Sequence, residues 1–334
     1  MRISDKWQKE PGTRVAPSRD LDDGKVQAPC IVRRPDGGVR LFYTGIGSGK
    51  PFPNCQGYIL SAVSDDGVTF EKEPGIRLMP QPDVLHMSLR VLAPSIVKVA
   101  NGWRMYFESR GPAAVPCVIC SAFSSDQLNW EHEDGVRLQA WEDLGGPRYM
   151  ALPDGGGRLY CCGSLTDADD GGVVSATTID GLDFEIEPAY RITAKQNEYD
   201  SGGCTAAEVI SIGDEWSMVF STWQDPPPGT EVPLHPCADS DAEDNGVSAD
   251  FAAASIAVDM AGYRSRIYMA YSSDGLVWNH GGCAIDGAGY DRDGFDAVHA
   301  EDMSVIQLDD GRYRMYIAGC DKNGRWSVGS AVSE

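Results

Sequence analysis

The stretch SDDGVTF at residues 64–70 returns in related form as SDQLNW at 125–130, TIDGLDF at 178–184 and SDGLVW at 273–278. Each copy lies between two runs rich in β-branched and aromatic residues. An Asp-Gly pair in that setting is a strong signal for a tight β-hairpin, because glycine adopts positive φ without a steric penalty. The sequence therefore predicts a hairpin at each of these turns.

A second predicted hairpin lies upstream of each of these four turns, and a fifth hairpin of this second kind follows the last turn. Each joins two apolar, strand-like runs around a glycine or aspartate. The five pairs of runs are 28–32 with 41–43, 93–97 with 105–107, 149–152 with 159–160, 208–210 with 218–220, and 303–306 with 315–317. Helical periodicity is nearly absent. A unit of four antiparallel strands repeated five times predicts an all-β fold, a five-bladed β-propeller.

The two ends of the sequence complement each other. The fifth unit stops after its third strand, at residues 327–334, while WQKEPGTRV at 7–15 closely matches FEKEPGIRL at 70–78, the fourth strand of the first unit. The N-terminal strand is therefore predicted to pair with the last blade and to remove its open edge. We expect residues 1–334 to form a single propeller domain.

Composition narrows the function classes. The 334 residues include 28 Lys and Arg against 50 Asp and Glu, a formal net charge of −22. This excess of acid argues against nucleic acid or an anionic membrane surface as partners and favours a neutral or cationic small molecule or a metal ion. No apolar run approaches the roughly 18 residues of a membrane span. Without an apolar signal core, and with ten cysteines expected to be reduced, a cytoplasmic location is predicted. The oligomeric state is left open.

The long connections are all predicted on one rim of the ring. Turns between first and second strands and between third and fourth strands are short, and they share one face. The other face receives the connections at 45–57, 79–91, 139–146, 193–205, 223–262 and 286–301. Long loops on a rigid scaffold often carry a site, although tolerated insertions are the alternative.

The insertion at 223–262 has a possible metal site of its own. Asp239, Asp241 and Glu243 alternate along it, and Ca²⁺ prefers such oxygen ligands. Calcium or another divalent cation is therefore a candidate cofactor. An acidic, solvated loop is the alternative reading.

A second acidic segment enters the fifth unit and places His299, Glu301 and Asp302 at the start of an innermost strand. Carboxylates brought together at a pore mouth can shift each other's pKa, so that one acts as an acid and another as a base. These three residues are the predicted catalytic group. Asp22, Asp200 and Asp296 each stand seven residues before a strand anchor, so a repeated structural role for them is the alternative to substrate binding.

Other polar and aromatic residues on the same rim are predicted to bind the substrate. The tryptophans are candidate platforms for sugar stacking, with ordinary packing as the alternative. The set comprises His86, Arg90, Glu108, Trp141, Arg148, Asp200, Trp223 and Asp296.

The five-fold repeat, with Ala28-Pro29 leading to Leu41-Phe42-Tyr43 and the Ser-Asp-Gly-x-x-aromatic turn, resembles the propeller glycosidase superfamily over essentially the whole chain. This group contains arabinanases, β-xylosidases, invertases, levansucrases and the related mannoside phosphorylases. The resemblance implies three catalytic carboxylates, each one or two residues before an inner-strand anchor. The equivalent pairs here are Gln27-Ala28, Leu92-Ala93, Gly145-Gly146, Thr205-Ala206 and Glu301-Asp302.

Only the fifth pair is acidic, which departs from the pattern of the superfamily. Glycoside hydrolysis usually needs two carboxylates, about 5–5.5 Å apart for retention and about 6.5–9.5 Å apart for inversion. In this sequence a pair would have to come from Glu301, Asp302, Asp296, Glu108 and Glu208.

The leading hypothesis is a glycoside hydrolase-like enzyme that acts on a carbohydrate or a similar small molecule at the pore mouth. Glu301 or Asp302 would be the acid or base, with His299, His86, Arg90 and Arg148 as positioning groups. One alternative is a propeller redeployed for cyclisation or elimination in secondary metabolism. Another is a non-catalytic module that binds a sugar or a metal.

Overall fold

The computed structural model describes residues 3–18, 21–47, 57–112, 115–140, 143–153, 155–166, 171–193, 200–224, 264–289 and 292–334. The all-β class predicted from the sequence is confirmed. The secondary structure of these residues consists of 21 strands and one 3-10 turn, Leu85–Met87. Within them, no helix is long and apolar enough to cross a membrane.

The described strands form three sheets, of eight, five and eight strands. Their antiparallel ladders divide them into five groups, called units here, and parallel bridges between Gly57 and Arg90 and between Ser265 and His299 join units 1 and 2 and units 4 and 5. The N-terminal strand is β1 (Trp7–Lys9). Unit 1 contains β2 (Lys25–Arg33), β3 (Val39–Ile46), β4 (Gly57–Ser64) and β5 (Glu71–Lys72). Unit 2 contains β6 (Arg90–Val99), β7 (Gly102–Arg110), β8 (Val118–Ser124) and β9 (Glu131–Leu138). Unit 3 contains β10 (Leu144–Ala151), β11 (Gly157–Gly163), β12 (Gly172–Thr178), β13 (Glu185–Ile186) and the short β14 (Ile192–Thr193). Unit 4 contains β15 (Asp200–Ile212), β16 (Glu215–Gln224), β17 (Arg264–Ser272) and β18 (Asn279–Ile285). Unit 5 contains β19 (His299–Gln307), β20 (Tyr313–Cys320) and β21 (Trp326–Ser333).

The N-terminal strand completes unit 5. β1 pairs antiparallel with β21, with Trp7 opposite Ser333 and Lys9 opposite Ala331. This pairing covers the edge of β21 with the opposite end of the chain, as the match between residues 7–15 and 70–78 predicts. The first strands β2, β6, β10, β15 and β19 lie next to one another in cyclic order, with β19 again beside β2. The first strands of the units therefore contact one another in cyclic order, and this arrangement is called the ring below.

The core lies between neighbouring units, where apolar faces of adjacent sheets meet. Phe42 of unit 1 packs in one buried cluster with Met105 of unit 2, and Ile267 of unit 4 packs with Met315 of unit 5. Burial of such faces provides the main favourable free energy of the fold. The eight cysteines within the described residues are free thiols.

One face of the ring, called the base here, carries the Asp-Gly turns and a repeated ionic latch. In units 1, 2, 3 and 5 an arginine of the second strand makes two hydrogen bonds to a glutamate of the fourth strand, and a serine of the third strand bonds the same carboxylate. The four sets are Arg40–Glu73–Ser61, Arg104–Glu133–Ser121, Arg158–Glu187–Ser175 and Arg314–Glu10–Ser330.

In units 2, 3 and 5 a tyrosine connects the unit to the turn of the next unit. Tyr106, Tyr160 and Tyr316 donate their hydroxyls to the carbonyls of Gly181, Gly275 and Gly67 at 2.8–3.0 Å. The turns are themselves rigid, because an aspartate such as Asp66 accepts hydrogen bonds from two following backbone N–H groups. These bonds hold the pKa of Asp66 well below its usual range.

The five first strands share a backbone irregularity near their start. Each ladder between first and second strand is interrupted by a bulge, and a residue with left-handed φ stands there in units 1, 2, 3 and 5. These residues are Ala28 at 47°, Ala93 at 49°, Gly146 at 57° and Asp302 at 48°. Bulges of this kind redirect side chains next to sites. The end of the ring axis at these bulges is called the mouth below.

Candidate active site at the mouth of the ring

Arg148 closes the ring axis just below the mouth. It is 3% exposed, and its terminal nitrogens donate to four backbone carbonyls at 3.0–3.1 Å. The acceptors are Pro94, Pro147, Pro29 and Met303. Arg148 thus joins the first strands of units 1, 2, 3 and 5. Its four terminal N–H groups are used within the protein, so it forms the floor of the mouth.

Glu208 connects this floor to unit 4. Its Oε2 lies 3.4 Å from Nε of Arg148. Burial raises the pKa of Glu208, while Arg148 and a hydrogen bond from Ser304 oppose the rise. Arg148 and Glu208 therefore form a largely buried ion pair. Breaking a pair of this kind is costly, because the remaining charge is left without a counter-charge.

Asp302 lies at the bulge of β19, directly above the floor. The equivalent residues of units 1, 2 and 3 are Ala28, Ala93 and Gly146, which carry no functional side chain. A left-handed φ costs an L-residue of this kind on the order of 1 kcal/mol. The structure thus places a carboxylate where the equivalent positions of units 1, 2 and 3 carry alanine or glycine.

The surroundings of Asp302 perturb its acidity. Burial, together with the smaller effect of the nearby Glu108, raises its pKa to about 6, although Arg148, the backbone N–H of Ala28 and Lys25 stabilise the carboxylate. Asp302 is partly buried and still reaches solvent. A carboxyl group of this kind exists in both protonation states near neutral pH, which suits general acid–base chemistry.

Glu108 is the second carboxylate of the mouth. It lies on β7, and its side chain is 7% exposed. Arg110 donates to its Oε1, and the backbone N–H of Gly146 donates to Oε2 at 3.2 Å. A Cβ on Gly145 would lie 2.5 Å from this carboxylate, so the glycine leaves the room that the carboxylate occupies. Glu108 is held in one position between unit 2 and unit 3.

His299, the first residue of β19, is oriented by unit 4. The backbone N–H of Ser265 donates to its Nδ1 at 3.1 Å, and the Ser265 hydroxyl lies 3.0 Å from the same atom. Because a backbone amide can only donate, Nδ1 is the acceptor and the neutral ring carries its proton on Nε2. The ring stacks on Trp326 at a centroid distance of 5.3 Å. Lys25 lies 5.7 Å from the same indole.

The other residues predicted for the site differ in burial and in their position around the mouth. Glu301 and Arg90 are buried next to the start of their first strands. His86 lies in the 3-10 turn at the rim of unit 2, close to Gly111. Trp223 is 37% exposed near the end of β16, which leaves part of its indole accessible.

Asp296 is held in an ion pair that recurs elsewhere. Its Oδ2 lies 3.0 Å from Nζ of Lys9. In unit 1, Asp22 makes the corresponding contact with Lys72 at 2.5 Å, and Lys9 and Lys72 are equivalent in the repeat. This recurrence favours the structural alternative for Asp296 over a role in substrate binding.

Several predicted residues fall outside what the structure describes. Trp141 and the metal candidates Asp239, Asp241 and Glu243 lie outside the described residues, and for Asp200 only the backbone of β15 is described. In the described ranges, no three His, Cys, Asp or Glu side chains are grouped as a metal ion would need. A surface cavity of about 380 Å³ lies beside unit 5, between Phe295 and Arg325, and is not lined by the mouth residues.

Lys25 and the partners of Glu108 were not predicted as site residues. Lys25 is the first residue of β2, just as Arg90 and His299 begin β6 and β19. An alignment of the first strands at their first residues would have revealed that Lys25 and Arg90 occupy the position equivalent to that of His299. The pairing of Glu108 with Gly146, by contrast, joins residues of different units and has no local signal in the sequence.

Comparison with known proteins supports the fold. No protein-family model and no curated protein sequence matches the chain. Solved structures do match: β-1,2-mannobiose phosphorylase from Listeria innocua has a TM-score of 0.71 at 12% identity, over 98% of this chain and 96% of that one. A Parabacteroides distasonis structure provisionally assigned as a glycoside hydrolase gives 0.72 at 13% identity, over 99% and 97%.

The chain has the same fold as these solved structures. A thermostable family-43 glycoside hydrolase shares it with a TM-score of 0.62, at 12% identity over 97% of this chain and 91% of that one. At such identities the likeness concerns the fold alone. The chemistry of this propeller must therefore be argued from its own mouth residues.

Proposed function

We propose that the chain is a single five-bladed propeller, residues 1–334, that acts on a glycoside at its mouth by carboxylate acid–base chemistry. The supporting observation is Asp302: a carboxylate on a left-handed bulge, at the position where the other described units carry alanine or glycine. It stands one residue before the inner-strand anchor Met303, a place equivalent to the one at which the superfamily resemblance puts catalytic carboxylates in other blades. Two of the similar solved structures are a β-1,2-mannobiose phosphorylase and a structure provisionally assigned as a glycoside hydrolase, in agreement with a sugar-like substrate.

The two carboxylates of the mouth suit different tasks. Asp302, with its pKa raised to about 6, can hold a proton and donate it to a departing glycosidic oxygen. Glu108, fixed by Arg110 and Gly146, is placed to act as the base or to stabilise positive charge on the sugar. Two carboxyl groups in contrasting environments are the usual basis for separate acid and base roles.

The floor and the side of the mouth have positioning roles in this proposal. Arg148 and Glu208 fix the first strands on which Asp302 stands. His299 would present Nε2–H as a donor, since Nδ1 is occupied by Ser265. Lys25 adds positive charge beside Asp302, and Trp223 is an accessible indole for stacking against a sugar ring.

The test is a comparison of Asp302→Asn and Glu108→Gln with the wild type on a panel of aryl glycosides and β-linked disaccharides, with and without inorganic phosphate. Asparagine tolerates left-handed φ, so Asp302→Asn should remain folded. We expect kcat to fall by roughly 10²–10⁴-fold, the usual contribution of general acid–base catalysis. Asp309→Asn, on a fully exposed side chain at the base, is the matched control.

Wild-type turnover that survives unchanged in both variants would refute this assignment. If the wild type turns over no member of the panel but binds an intact sugar in calorimetry, the non-catalytic alternative is selected instead. Dependence of turnover on added phosphate would separate phosphorolysis from hydrolysis.

A further inference from the structure

Arg266 is a fully buried arginine whose hydrogen bonds are incomplete. It lies near the start of β17 in unit 4, with no exposed surface. Nε donates to Oδ1 of Asp286 at 2.9 Å, and Nη1 donates to the carbonyl of Ser265 at 2.8 Å. Among the described residues, Nη2 has no hydrogen-bond partner. A buried guanidinium nitrogen without a partner carries a substantial desolvation penalty.

Two more unpartnered groups lie beside it. Thr222 stands directly opposite Arg266 in the ladder between β16 and β17, and its buried Oγ1 also has no partner. Arg264 lies two residues before Arg266, on the same face of the strand, and its Nε is buried without a partner as well. Because side chains two apart on a strand and directly across a ladder share a face, the three groups converge.

The local charge is positive. Arg264 and Arg266 share one nearby carboxylate, Asp286, at 4.0 and 2.9 Å. That carboxylate is largely exposed, so water screens it. Burial and the adjacent Arg264 lower the pKa of Arg266, while Asp286 and Cys283 oppose this. An anion between the two arginines would compensate the excess charge and satisfy the unpartnered donors.

The fold does not require these residues. The equivalent ladder pairs are Gly45 with Tyr58, Ser109 with Val118, Gly163 with Gly172, and Gly319 with Ser327. None of these eight residues is charged. A charged residue at the position of Arg266 is thus peculiar to unit 4, whereas the position of Arg264 carries another arginine, Arg325, in unit 5.

The group lies close to the mouth. Cys204, Thr222 and Arg266 form one row across β15, β16 and β17, which spans about 10 Å at two strand spacings. Cys204 packs against the cluster of Cys162, and Cys162 is within electrostatic reach of Asp302 and Glu108. Thr222 and Arg266 thus lie in the strand row that begins at Cys204, next to the cluster of Cys162.

We propose that Arg264, Arg266 and Thr222 form a subsite for an anionic group carried by a sugar, either the carboxylate of a uronic acid or a phosphate ester. The assignment of this anion to the substrate rests on the proposed function. Binding of the anion itself does not, since no residue of the subsite takes part in the acid–base step.

The experiment is isothermal titration calorimetry of the full chain with D-glucuronate, D-glucose 6-phosphate and neutral D-glucose. We expect one or both anionic sugars to bind at least roughly 10-fold more tightly than D-glucose, the size of one hydrogen bond to a charged group. Binding of glucuronate alone identifies a carboxylate ligand, and binding of the phosphate ester alone identifies a phosphate ligand.

Three variants locate the binding. Thr222→Val removes a buried hydroxyl that lacks a partner, so the free protein should be as stable as the wild type or more stable, while anion affinity falls by roughly 10-fold or more. Arg264→Gln should reduce affinity similarly. Arg312→Gln, at an exposed ion pair on the base, should leave affinity unchanged.

Equal affinity for all three sugars, or wild-type anion affinity in both Thr222→Val and Arg264→Gln, would overturn the subsite. The Asp302→Asn variant separates this result from the proposed function. If it binds the anionic sugar as the wild type does but the wild type shows no turnover, the subsite stands and the catalytic proposal fails. If the wild type turns over a glycoside but does not bind anionic sugars selectively, the catalytic proposal stands and the subsite fails.

Discussion

The base and the mouth of the ring use polar residues in opposite ways. At the base, the same arginine–glutamate–serine latch is found in units 1, 2, 3 and 5, with nearly identical distances. At the mouth, equivalent positions carry different residues: Ala28, Ala93, Gly146 and Asp302 at the bulge. Repeated polar contacts stabilise a repeated fold, whereas single departures from the repeat indicate a function.

Unit 4 lacks the arginine–glutamate–serine latch, and its position next to unit 5 gives a physical reason for this. Ser217, Gly281 and Met269 stand where the other units have arginine, glutamate and serine. Each tyrosine connection joins one unit to the turn of the next, so the contact of unit 4 would be to unit 5. There, the third and fourth strands β21 and β1 come from opposite ends of the sequence, and no turn joins them.

The largest effect on stability is expected from the floor of the mouth. Arg148→Met would leave Glu208 buried without its counter-charge and four carbonyls without their donor. We expect the free energy of unfolding to fall by about 3–5 kcal/mol, measured by urea denaturation. The double variant Arg148→Met/Glu208→Gln should recover part of this loss. If the single variant is as stable as the wild type, the first strands do not depend on this residue.

The pH dependence of Asp302 gives the next effect. Its pKa of about 6 in the folded protein exceeds the ordinary value of 3.8, so between these values the folded state holds a proton that the unfolded state has released. The stability contribution of this group is therefore present below pH 4 and decreases as the pH rises to about 6. The difference between wild type and Asp302→Asn should change by at most about 3 kcal/mol over this window.

The same titration predicts the pH profile of activity. If Asp302 donates a proton, kcat/KM should decline as the pH rises through about 6. Unfolding curves and rates collected from pH 4 to pH 8 in one buffer series would check both statements. A wild-type stability profile that runs parallel to that of Asp302→Asn would show that the carboxyl is not perturbed.

The smallest effect is expected at the base. Glu187→Gln weakens two hydrogen bonds to Arg158 and one from Ser175, which we expect to cost about 1.5–3 kcal/mol of unfolding free energy without changing kcat. Glu185→Gln, on an exposed neighbour in the same strand, should stay within about 0.5 kcal/mol of the wild type. If Glu187→Gln loses activity but keeps the stability of the wild type, the inference that the base stabilises the fold and the mouth carries the function is wrong.

Much of the fold and part of the mouth could be predicted from the sequence. The Asp-Gly turns at 64–70 and 178–184 gave the strand order, because turn chemistry is local. The acidic pair Glu301-Asp302 was found because it departs from the repeat. Glu108 was recognised only as one of several carboxylates, and Asp296 could not be distinguished from a ligand, because its pairing with Lys9 joins residues 287 positions apart.

The sequence by itself determined the all-β class, the repeat, the strand that returns from the N-terminus and the position of the unusual carboxylate, since turns, strand periodicity and repeats depend on neighbouring residues. Only the tertiary structure decided that Arg148 joins the first strands of four units, that Glu108 lies within electrostatic reach of Asp302, and that Arg264, Arg266 and Thr222 share one face and carry unpartnered polar atoms. Those relations arise where different units meet, and the distances and burial that set their electrostatics exist only once the ring is closed.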